Sequence, residues 1–286
     1  MPLRLPLGIY EKALPLEVDW YERLDLARNV GFDFVELSCD ESLERQARMD
    51  WTKAERRCLR DAVDKSGVPL LTMCLSAHRA LALGSADAGT RRKGLDLLQK
   101  AIDFSLDLGV RIIQIAGYYD YYGTIDDGTE ERYLDALAEG IVWASEAGLM
   151  LGVETMEGSN VVDSIRRAMR HVEALNSPWF QIYPDIGNLA AHGFDVGEEL
   201  EIGHGHIVGI HVKDSRPGEP RRVPFGEGVV PFVAAFHKLA DLGFRGPVLI
   251  EMWNDNRPDS MDLIGAARQW VVGKMLEGGL IDDATL

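Results

Sequence analysis

One stretch of the chain decides the fold: IVWASEAGLMLGVE, residues 141–154. Its first half completes an apolar pattern with the 3.6-residue period of a helix, which begins near Leu134. Gly148 then supplies the left-handed cap that commonly ends a helix. The apolar run Met150–Glu154 follows at once and predicts a buried strand that finishes on a carboxylate. The stretch is therefore predicted to be a helix, a glycine turn and a strand in close succession.

The same unit recurs along the chain. Glycine followed by an apolar residue marks four further helix ends, at Gly31-Phe32, Gly67-Val68, Gly109-Val110 and Gly243-Phe244. Eight apolar runs bounded by turn residues are predicted as strands: Leu7–Tyr10, Phe34–Leu37, Leu70–Leu75, Ile112–Ile115, Met150–Glu154, Phe180–Tyr183, Ile207–Val212 and Val248–Met252. Near-continuously apolar strands that alternate with helices indicate a parallel sheet covered by helices.

Eight such units favour an α/β fold, namely a closed (β/α)8 TIM barrel. The barrel is predicted to span residues 1–286 as a single domain. The alternative is an open, doubly wound sheet, because the order of strands cannot be read from the sequence. The lack of a G-x-G-x-x-G motif after the first strand disfavours this alternative. The longest unassigned stretches, 76–86, 118–129 and 213–229, all follow strands, which is the side where barrel enzymes carry their catalytic residues.

The composition argues against several classes of partner. The 286 residues are 46% hydrophobic and 27% charged, as in ordinary globular proteins. The formal net charge of -16 repels nucleic acid and anionic membrane surfaces, so neither is expected as a partner. Three unevenly spaced cysteines indicate neither disulfides nor a zinc module, and prolines interrupt the N-terminal segment 1–8 where a signal peptide would be apolar. We therefore expect a cytoplasmic protein.

Ionisable residues lie at the ends of the last four predicted strands. They are Glu154, Asp185, His211 and Glu251, each within apolar sequence. Taken singly, each has an ordinary explanation as an ion pair, a helix cap or a core histidine. In a barrel, however, the strand ends converge on one axial point, and buried carboxylates are normally paired or bound to metal. Together the four predict a site for one divalent ion, Zn²⁺ or Mn²⁺, with Mg²⁺ or Co²⁺ as alternatives.

Two of these residues suit a particular reaction. Glu154 and Glu251 come from different strands and can flank a bound ketose on its two faces. One carboxylate can then remove the proton next to the ketone and the other can return a proton from the opposite face, while the ion neutralises the enediolate. This two-sided arrangement predicts epimerisation, whereas an aldose–ketose isomerase needs proton transfer on one face only.

The chain resembles the xylose isomerase-like barrel superfamily. Within it, the chain is similar to the L-ribulose-5-phosphate / L-xylulose-5-phosphate 3-epimerases of L-ascorbate catabolism, a group also labelled hexulose-6-phosphate isomerases. The similarity extends nearly end to end. It rests on the segments LGIYEKALP (7–15), GFDFVE (31–36), MCLSAHR (73–79), PWFQIYPDIGNL (178–189), HVKD (211–214), VPFGEGVV (223–230) and LIEMW (249–253). Strings of this length are specific to a family.

The resemblance implies a metal held by the same four strand-end residues, with the two glutamates as the acid/base pair, and it implies a homodimer. The related D-tagatose and D-psicose 3-epimerases carry a histidine shortly after the ligand aspartate. This chain has Asn188 there, three residues after Asp185, which disfavours a free ketose as substrate. Asn188, and Glu157 in the loop after Glu154, are the candidates for contacts with the sugar.

A ketose phosphate requires a local basic cluster in this acidic chain. Barrel enzymes often bind phosphate in the loops after strands seven and eight. Lys213 and Arg221, in the loop after His211, are the first candidates, and His78 with Arg79 after the third strand are the second. The same loop adds Arg216, Arg222 and the backbone of Gly226–Gly228. The alternative is a solvated surface loop, since nearby acidic residues partly cancel its charge.

The sequence thus predicts a metal-dependent 3-epimerase that interconverts L-ribulose 5-phosphate and L-xylulose 5-phosphate. Three alternatives remain open: an epimerase of a non-phosphorylated ketose, a keto-polyol dehydratase (lyase) on the same metal site, and a non-catalytic sugar-phosphate sensor. The first lacks a need for the phosphate, the second releases a dehydrated product, and the third exchanges no substrate proton with solvent.

Overall fold

Eight parallel strands form the barrel in the computed structural model, which describes residues 5–282. The barrel strands are β1 Leu7–Tyr10, β2 Phe34–Ser38, β3 Leu70–Leu75, β4 Ile112–Ala116, β5 Met150–Glu154, β6 Phe180–Ile182, β7 Ile210–Val212 and β10 Val248–Ile250. A hairpin of β8 Asp214–Arg216 and β9 Glu219–Val223 lies between the last two. The barrel strands agree closely with the predicted runs, except that β7 begins three residues later and β10 ends two residues earlier. The first four residues of the N-terminal segment considered above lie outside the described residues.

The order of the strands distinguishes the barrel from the open sheet. The hydrogen-bonded order is β6, β5, β4, β3, β2, β1, β10, β7, which follows the chain around a circle without the reversal of a doubly wound sheet. The two ends of this series meet in parallel bridges between Ile182 and Ile207 and between Asp185 and His211. The backbone nitrogen of His211 also donates to the carbonyl of Pro184 at 2.9 Å. The predicted (β/α)8 barrel is therefore confirmed.

Helices cover the outside of the barrel. Those of residues 5–282 are α1 Trp20–Val30, α2 Leu43–Ala47, α3 Lys53–Ser66, α4 Ala88–Leu108, α5 Thr129–Ala147, α6 Ile165–Leu175, α7 Ile186–Ala191, α8 Val196–Ile202, α9 Phe232–Asp241 and α10 Ser260–Glu277. Gly31, Gly67, Gly109 and Gly148 end α1, α3, α4 and α5 with φ between 68° and 101°, as predicted from their spacing. Within the described range, no helix is both long enough and apolar enough to cross a membrane.

The core has two parts. The larger part lies between the strands and the helices. A smaller cluster of Tyr10, Phe34, Cys74 and Leu249, with residues from four strands, lies apart from it. Beside these apolar groups stand several fully buried polar side chains, namely Glu36, Thr72, Gln114, Asp185 and His211. Buried ionisable groups destabilise a fold unless they are paired or bound to a ligand, so this polar region of the barrel is the candidate for a functional site.

The hairpin of β8 and β9 lies within residues 213–229, for which the sequence predicts no strand. Its residues are mostly polar and lack the alternation typical of a half-buried strand. Gly218, with φ of 81°, makes the turn. The carboxylate of Asp214 anchors the far end, since it accepts hydrogen bonds from the backbone nitrogens of Gly226 and Gly228 at 2.8 and 2.9 Å. Backbone pairing and one buried carboxylate thus order this segment without an apolar pattern.

Candidate metal and catalytic site

The four strand-end residues meet in one buried cluster. Glu154 is the last residue of β5, Asp185 precedes α7, His211 lies in β7, and Glu251 follows β10. One oxygen or nitrogen atom of each lies within 4.8 Å of the corresponding atoms of the others. All four residues are buried. The parallel arrangement of the barrel therefore brings together the side chains that the sequence analysis selected.

Asp185 and His211 are each fixed by hydrogen bonds. Asp185 caps α7, because its Oδ1 accepts from the backbone nitrogens of Gly187 at 2.7 Å and Asn188 at 3.1 Å. The imidazole of His211 has its Nδ1 3.2 Å from Glu154 Oε1 and its Nε2 2.8 Å from Glu36 Oε1. The ring therefore lies between a carboxyl group of the cluster and a carboxyl group outside it.

Glu36 was missed by the sequence analysis. Its side chain is completely buried in β2, and its Oε2 accepts a hydrogen bond from Thr72 Oγ1 at 2.6 Å. The signal for Glu36 was present, since a carboxylate within the apolar run Phe34–Leu37 resembles the other four candidates. Glu36 is the next-to-last residue of its predicted run, as His211 is, so the same criterion extended to the first four strands selects it.

Lys213 lies against the cluster, between two of its carboxyl groups. Its buried Nζ is 2.6 Å from Asp185 Oδ2 and 2.8 Å from Glu251 Oε2. An ammonium group held in this way by two carboxylates balances part of their charge. Lys213 also lines the cavity described below, and a contact with phosphate stays a prediction for it.

The surroundings move the pKa values of the two glutamates in opposite directions. Burial raises the pKa of Glu154 to about 7, and the hydrogen bond with His211 only partly opposes this. Burial acts in the same way on Glu251, but the charges of Lys213 and His211 outweigh it and lower the pKa of Glu251 to about 2. Two carboxyl groups in one site thus differ in how strongly they hold a proton, an arrangement common in acid–base catalysis.

The chemistry of the cluster suits a divalent cation. Four buried carboxyl groups, those of Glu36, Glu154, Asp185 and Glu251, face one imidazole and one ammonium group. Such an excess of buried negative charge repels itself unless a cation balances it. Carboxylate oxygens together with one imidazole nitrogen form a ligand set that Zn²⁺, Mn²⁺, Mg²⁺ and Co²⁺ all accept. The residues present therefore fit one divalent ion.

A cavity of about 110 Å³ opens beside the cluster. Glu154 and Glu251 line it, and so do three cationic side chains outside the cluster, Lys12, Arg79 and Arg221. The rest of its lining consists of Tyr10, Asp40, Glu41, Cys74, Ser76, Tyr118, Met156, Glu157, Lys213 and Trp253. The cavity thus places carboxyl groups and guanidinium groups around one polar space, which suits a hydroxylated ligand.

Arg79 and Arg221 converge on one carboxyl group of this cavity, that of Glu157. Arg221 forms an ion pair with Glu157 Oε1, and Arg79 Nη2 lies 3.8 Å from the same oxygen. The guanidinium of Arg79 also lies 4.8 Å from the ring centre of Tyr118 and 4.9 Å from that of Tyr121. The predicted residues Glu157 and Arg221 therefore line the cavity, and Arg79 joins them.

The remaining basic residues of the loop after β7 have other partners. Arg216 pairs with Glu219 and Glu227 at 3.3 Å. Arg222 pairs with Asp255 beside a second cavity of about 360 Å³. The backbone nitrogens of Gly226 and Gly228, considered above as anion ligands, bind the carboxylate of Asp214 instead, as described for the hairpin. Among the three arginines described in this loop, Arg216, Arg221 and Arg222, it is Arg221 that lines the smaller cavity.

Asn188 and His78 are buried away from the smaller cavity. The side-chain amide of Asn188 donates to the carbonyl of Thr155 at 2.9 Å. The Nε2 atom of His78 lies 3.1 Å from the carbonyl of Gly94 in α4. Both side chains thus hold neighbouring segments in place, and neither lines the smaller cavity, so the structure gives no support to the predicted substrate contacts.

The buried His78 will make the protein less stable in acid. Burial lowers the pKa of His78 from 6.5 to about 4. Between these values the unfolded chain binds a proton that the folded chain does not, so the free energy of unfolding falls as the pH falls from about 6.5 towards 4. The free energy of unfolding of the wild type should fall between pH 7 and pH 5, in part because of His78. In His78→Gln, which keeps an N–H donor but does not titrate, we expect this fall to be about 2 kcal/mol smaller. Urea unfolding at the two pH values measures this difference, and equal losses in the two proteins would contradict it.

Comparison with known proteins places the chain among sugar-converting barrels. Residues 24–272 match the family described as xylose isomerase-like TIM barrel. A protein of Escherichia coli O157:H7 (strain EC4115 / EHEC) named L-ribulose-5-phosphate 3-epimerase UlaE is 48% identical over 281 residues, which are 98% of this chain and 99% of that protein. The protein of the same name from Escherichia fergusonii is 47% identical over the same shares of both chains.

Solved structures share the fold at much lower sequence identity. The structure of D-psicose 3-epimerase with D-tagatose from Clostridium cellulolyticum H10 superposes with a TM-score of 0.81, at 18% identity, over 95% of this chain and 99% of that chain. A structure described as L-ribulose 3-epimerase gives a TM-score of 0.81 at 18% identity, over 96% of each chain. These structures support the barrel architecture.

Proposed function

The chain belongs to the xylose isomerase-like TIM barrel family, and from this premise we propose that it is a metal-dependent isomerase, a 3-epimerase that interconverts L-ribulose 5-phosphate and L-xylulose 5-phosphate. Relatives that are 47 to 48% identical share the name L-ribulose-5-phosphate 3-epimerase, which supports the proposed choice of substrate. The observation that carries the proposed reaction is the meeting of Glu154 and Glu251 in one buried cluster beside a polar cavity.

Inversion at C3 needs a base and an acid that approach the carbon from opposite faces. Glu154 ends β5 and Glu251 follows β10, and these strands are separated around the barrel by β6 and β7. The two carboxyl groups therefore reach a substrate from different directions. One carboxylate takes the proton from C3 and leaves its electron pair in the enediolate. The other carboxyl group then gives its proton to the opposite face of C3, and the roles exchange in the reverse direction.

The other residues of the cluster hold this pair in place. Glu154, Asp185, His211 and Glu251 would hold a divalent ion, whose chemistry is to polarise the ketone and to offset the charge of the enediolate. Lys213 orients Glu251 and Asp185 by contacting one oxygen of each. The helix cap at α7 fixes the second oxygen of Asp185, so that its carboxylate cannot rotate freely.

The phosphate of the substrate is assigned to Arg79 and Arg221. Their guanidinium groups already converge on one carboxylate oxygen of Glu157, a geometry that can hold an oxyanion. Lys12 lines the same cavity and forms an ion pair with Asp40 at 2.5 Å. A phosphorylated sugar would take the place of Glu157 and Asp40 as the partner of these cations, which a chain of net charge -16 needs in order to bind it.

Proton NMR in D₂O tests the proposal directly. The protein is loaded with Zn²⁺ or Mg²⁺, L-ribulose 5-phosphate is added, and the C3 signal and the products are followed. We expect the C3 proton to be replaced by deuterium while L-xylulose 5-phosphate appears. Parallel reactions with Mn²⁺ and Co²⁺ are quenched and analysed for the two sugars.

Three other results would each overturn the assignment. An unchanged C3 signal, with no conversion under any of the four ions, would reject the epimerase and favour the sensor. An ultraviolet-absorbing enone would identify a lyase. Faster conversion of free L-ribulose than of its 5-phosphate would show that the phosphate is not part of the preferred substrate.

A further inference from the structure

We propose that Glu36 is a positioning residue, which holds the imidazole of His211 so that its Nδ1 atom is presented to the metal. This inference rests on the proposed metal site and adds a residue that does not itself belong to the ligand cluster. It concerns the contact between β2 and β7, two strands that are not neighbours in the barrel.

The hydrogen bond between the two side chains determines which nitrogen of the ring carries hydrogen. Glu36 Oε1 lies 2.8 Å from His211 Nε2, and both side chains are completely buried. An ionised carboxylate can only accept a hydrogen bond, so Nε2 must be the donor. The other ring nitrogen, Nδ1, lies 3.2 Å from Glu154 Oε1 and faces the ligand cluster. In a neutral imidazole with its hydrogen on Nε2, Nδ1 carries a lone pair that can bind a cation in place of the amide nitrogen of Gln114, which lies 3.1 Å from it.

Glu36 is itself held so that it cannot turn away. Its Oε2 accepts hydrogen bonds from Thr72 Oγ1 at 2.6 Å and from the hydroxyl of Tyr183 at 3.3 Å. The ring of Tyr183 also stands edge-on to the ring of His211, with centroids 5.1 Å apart. A Cβ atom at Gly209 would lie 2.4 Å from the Tyr183 ring, so glycine at this position leaves room for the tyrosine inside the barrel. The network therefore fixes both oxygens of Glu36 and one face of His211.

A carboxylate that accepts from the distal nitrogen of a metal-binding histidine does two things. It fixes the orientation of the ring, and it makes the ligand nitrogen a better donor to the metal. Loss of such an outer partner typically weakens metal binding by about 10- to 100-fold. Glu36 meets this description by geometry, burial and charge.

Metal titration of the full-length protein, stripped of metal, is the test. The dissociation constant for Zn²⁺ is measured by competition with a chromophoric chelator for the wild type and for Glu36→Gln. We expect one ion per chain in both proteins and an affinity about 10- to 100-fold weaker in the variant. Glu199→Gln is the matched control, because Glu199 is also a buried carboxylate but accepts from the backbone nitrogen of Arg166, outside this network. The control should bind Zn²⁺ as the wild type does.

A second readout follows the ring of His211 itself. With ¹⁵N-labelled histidine, the wild type should show a strongly hydrogen-bonded Nε2–H resonance, assigned by its loss in His211→Gln. In Glu36→Gln this resonance should shift upfield, because a neutral amide oxygen is a weaker acceptor than a carboxylate. A variant with unchanged Zn²⁺ affinity and an unchanged resonance would reject the positioning role.

The experiment separates failure of this inference from failure of the proposed function. If the wild type binds no ion, or if Glu154→Gln and Asp185→Asn bind Zn²⁺ as tightly as the wild type, the proposed metal site itself is wrong. If Glu36→Gln does not fold, Tyr183→Phe and Thr72→Val take its place, since each removes one hydrogen bond to Glu36. Each variant should weaken Zn²⁺ binding about two- to tenfold. If both variants bind Zn²⁺ as tightly as the wild type, the inference is rejected.

Discussion

Glutamine in place of either Glu154 or Glu251 will lower the rate of epimerisation of L-ribulose 5-phosphate by about 10²- to 10⁴-fold, the usual contribution of general acid–base catalysis, since an amide cannot take or give the C3 proton. The two variants will differ in a second property. Each retains one working carboxylate, which can still exchange the C3 proton of one epimer with D₂O without inverting it. One variant should therefore exchange L-ribulose 5-phosphate and the other L-xylulose 5-phosphate.

Deuterium incorporation into each epimer, measured by NMR, distinguishes this outcome from a general loss of function. Because both glutamates also belong to the metal cluster, the bound ion is quantified in each preparation before the assay. Glu199→Gln serves as the control for replacing a buried carboxylate and should retain the wild-type rate. A variant that holds its metal and epimerises within tenfold of the wild type would show that its glutamate is not part of the acid/base pair.

Methionine in place of Arg221 will raise the KM for L-ribulose 5-phosphate by about 10- to 100-fold, because a hydrogen bond to a charged group is worth about 1.5 to 3 kcal/mol. Arg221 lies on the hairpin and is about one-third exposed, so its loss should have little effect on folding. The value of kcat/KM for free L-ribulose should change much less, since this sugar has no phosphate for the guanidinium to bind. Arg79→Met should have the same direction of effect.

Arg222→Met is the matched control for this measurement. Arg222 is the next residue along the chain, but it pairs with Asp255 and lines the second cavity. Steady-state kinetics with both sugars should therefore show a large, phosphate-dependent defect for Arg221→Met and little change for Arg222→Met. Equal losses on the phosphorylated and the free sugar would assign Arg221 to the loop structure and not to the phosphate.

The sequence was sufficient for those features of the molecule that depend on local chemistry. Apolar runs become strands because each is buried on both faces, and glycines end helices because glycine adopts positive φ with the least strain. The carboxylates and the histidine at the strand ends could be identified because each interrupts an apolar run. In a barrel, any residues in such positions meet at one end, so Glu154, Asp185, His211 and Glu251 could be grouped before their distances were known.

The tertiary structure alone decided how side chains distant in sequence pair with one another. Glu36 and His211 are 175 residues apart, and nothing in either segment indicates that they share a hydrogen bond. Lys213, just before the hairpin, contacts two carboxylates of the cluster, whereas Arg221, within the hairpin, pairs with Glu157 beside the cavity. His78 and Arg79 are adjacent in the chain, yet one is buried against α4 and the other lines the cavity. Such choices depend on where burial, charge and space coincide in three dimensions, and a linear pattern does not contain that information.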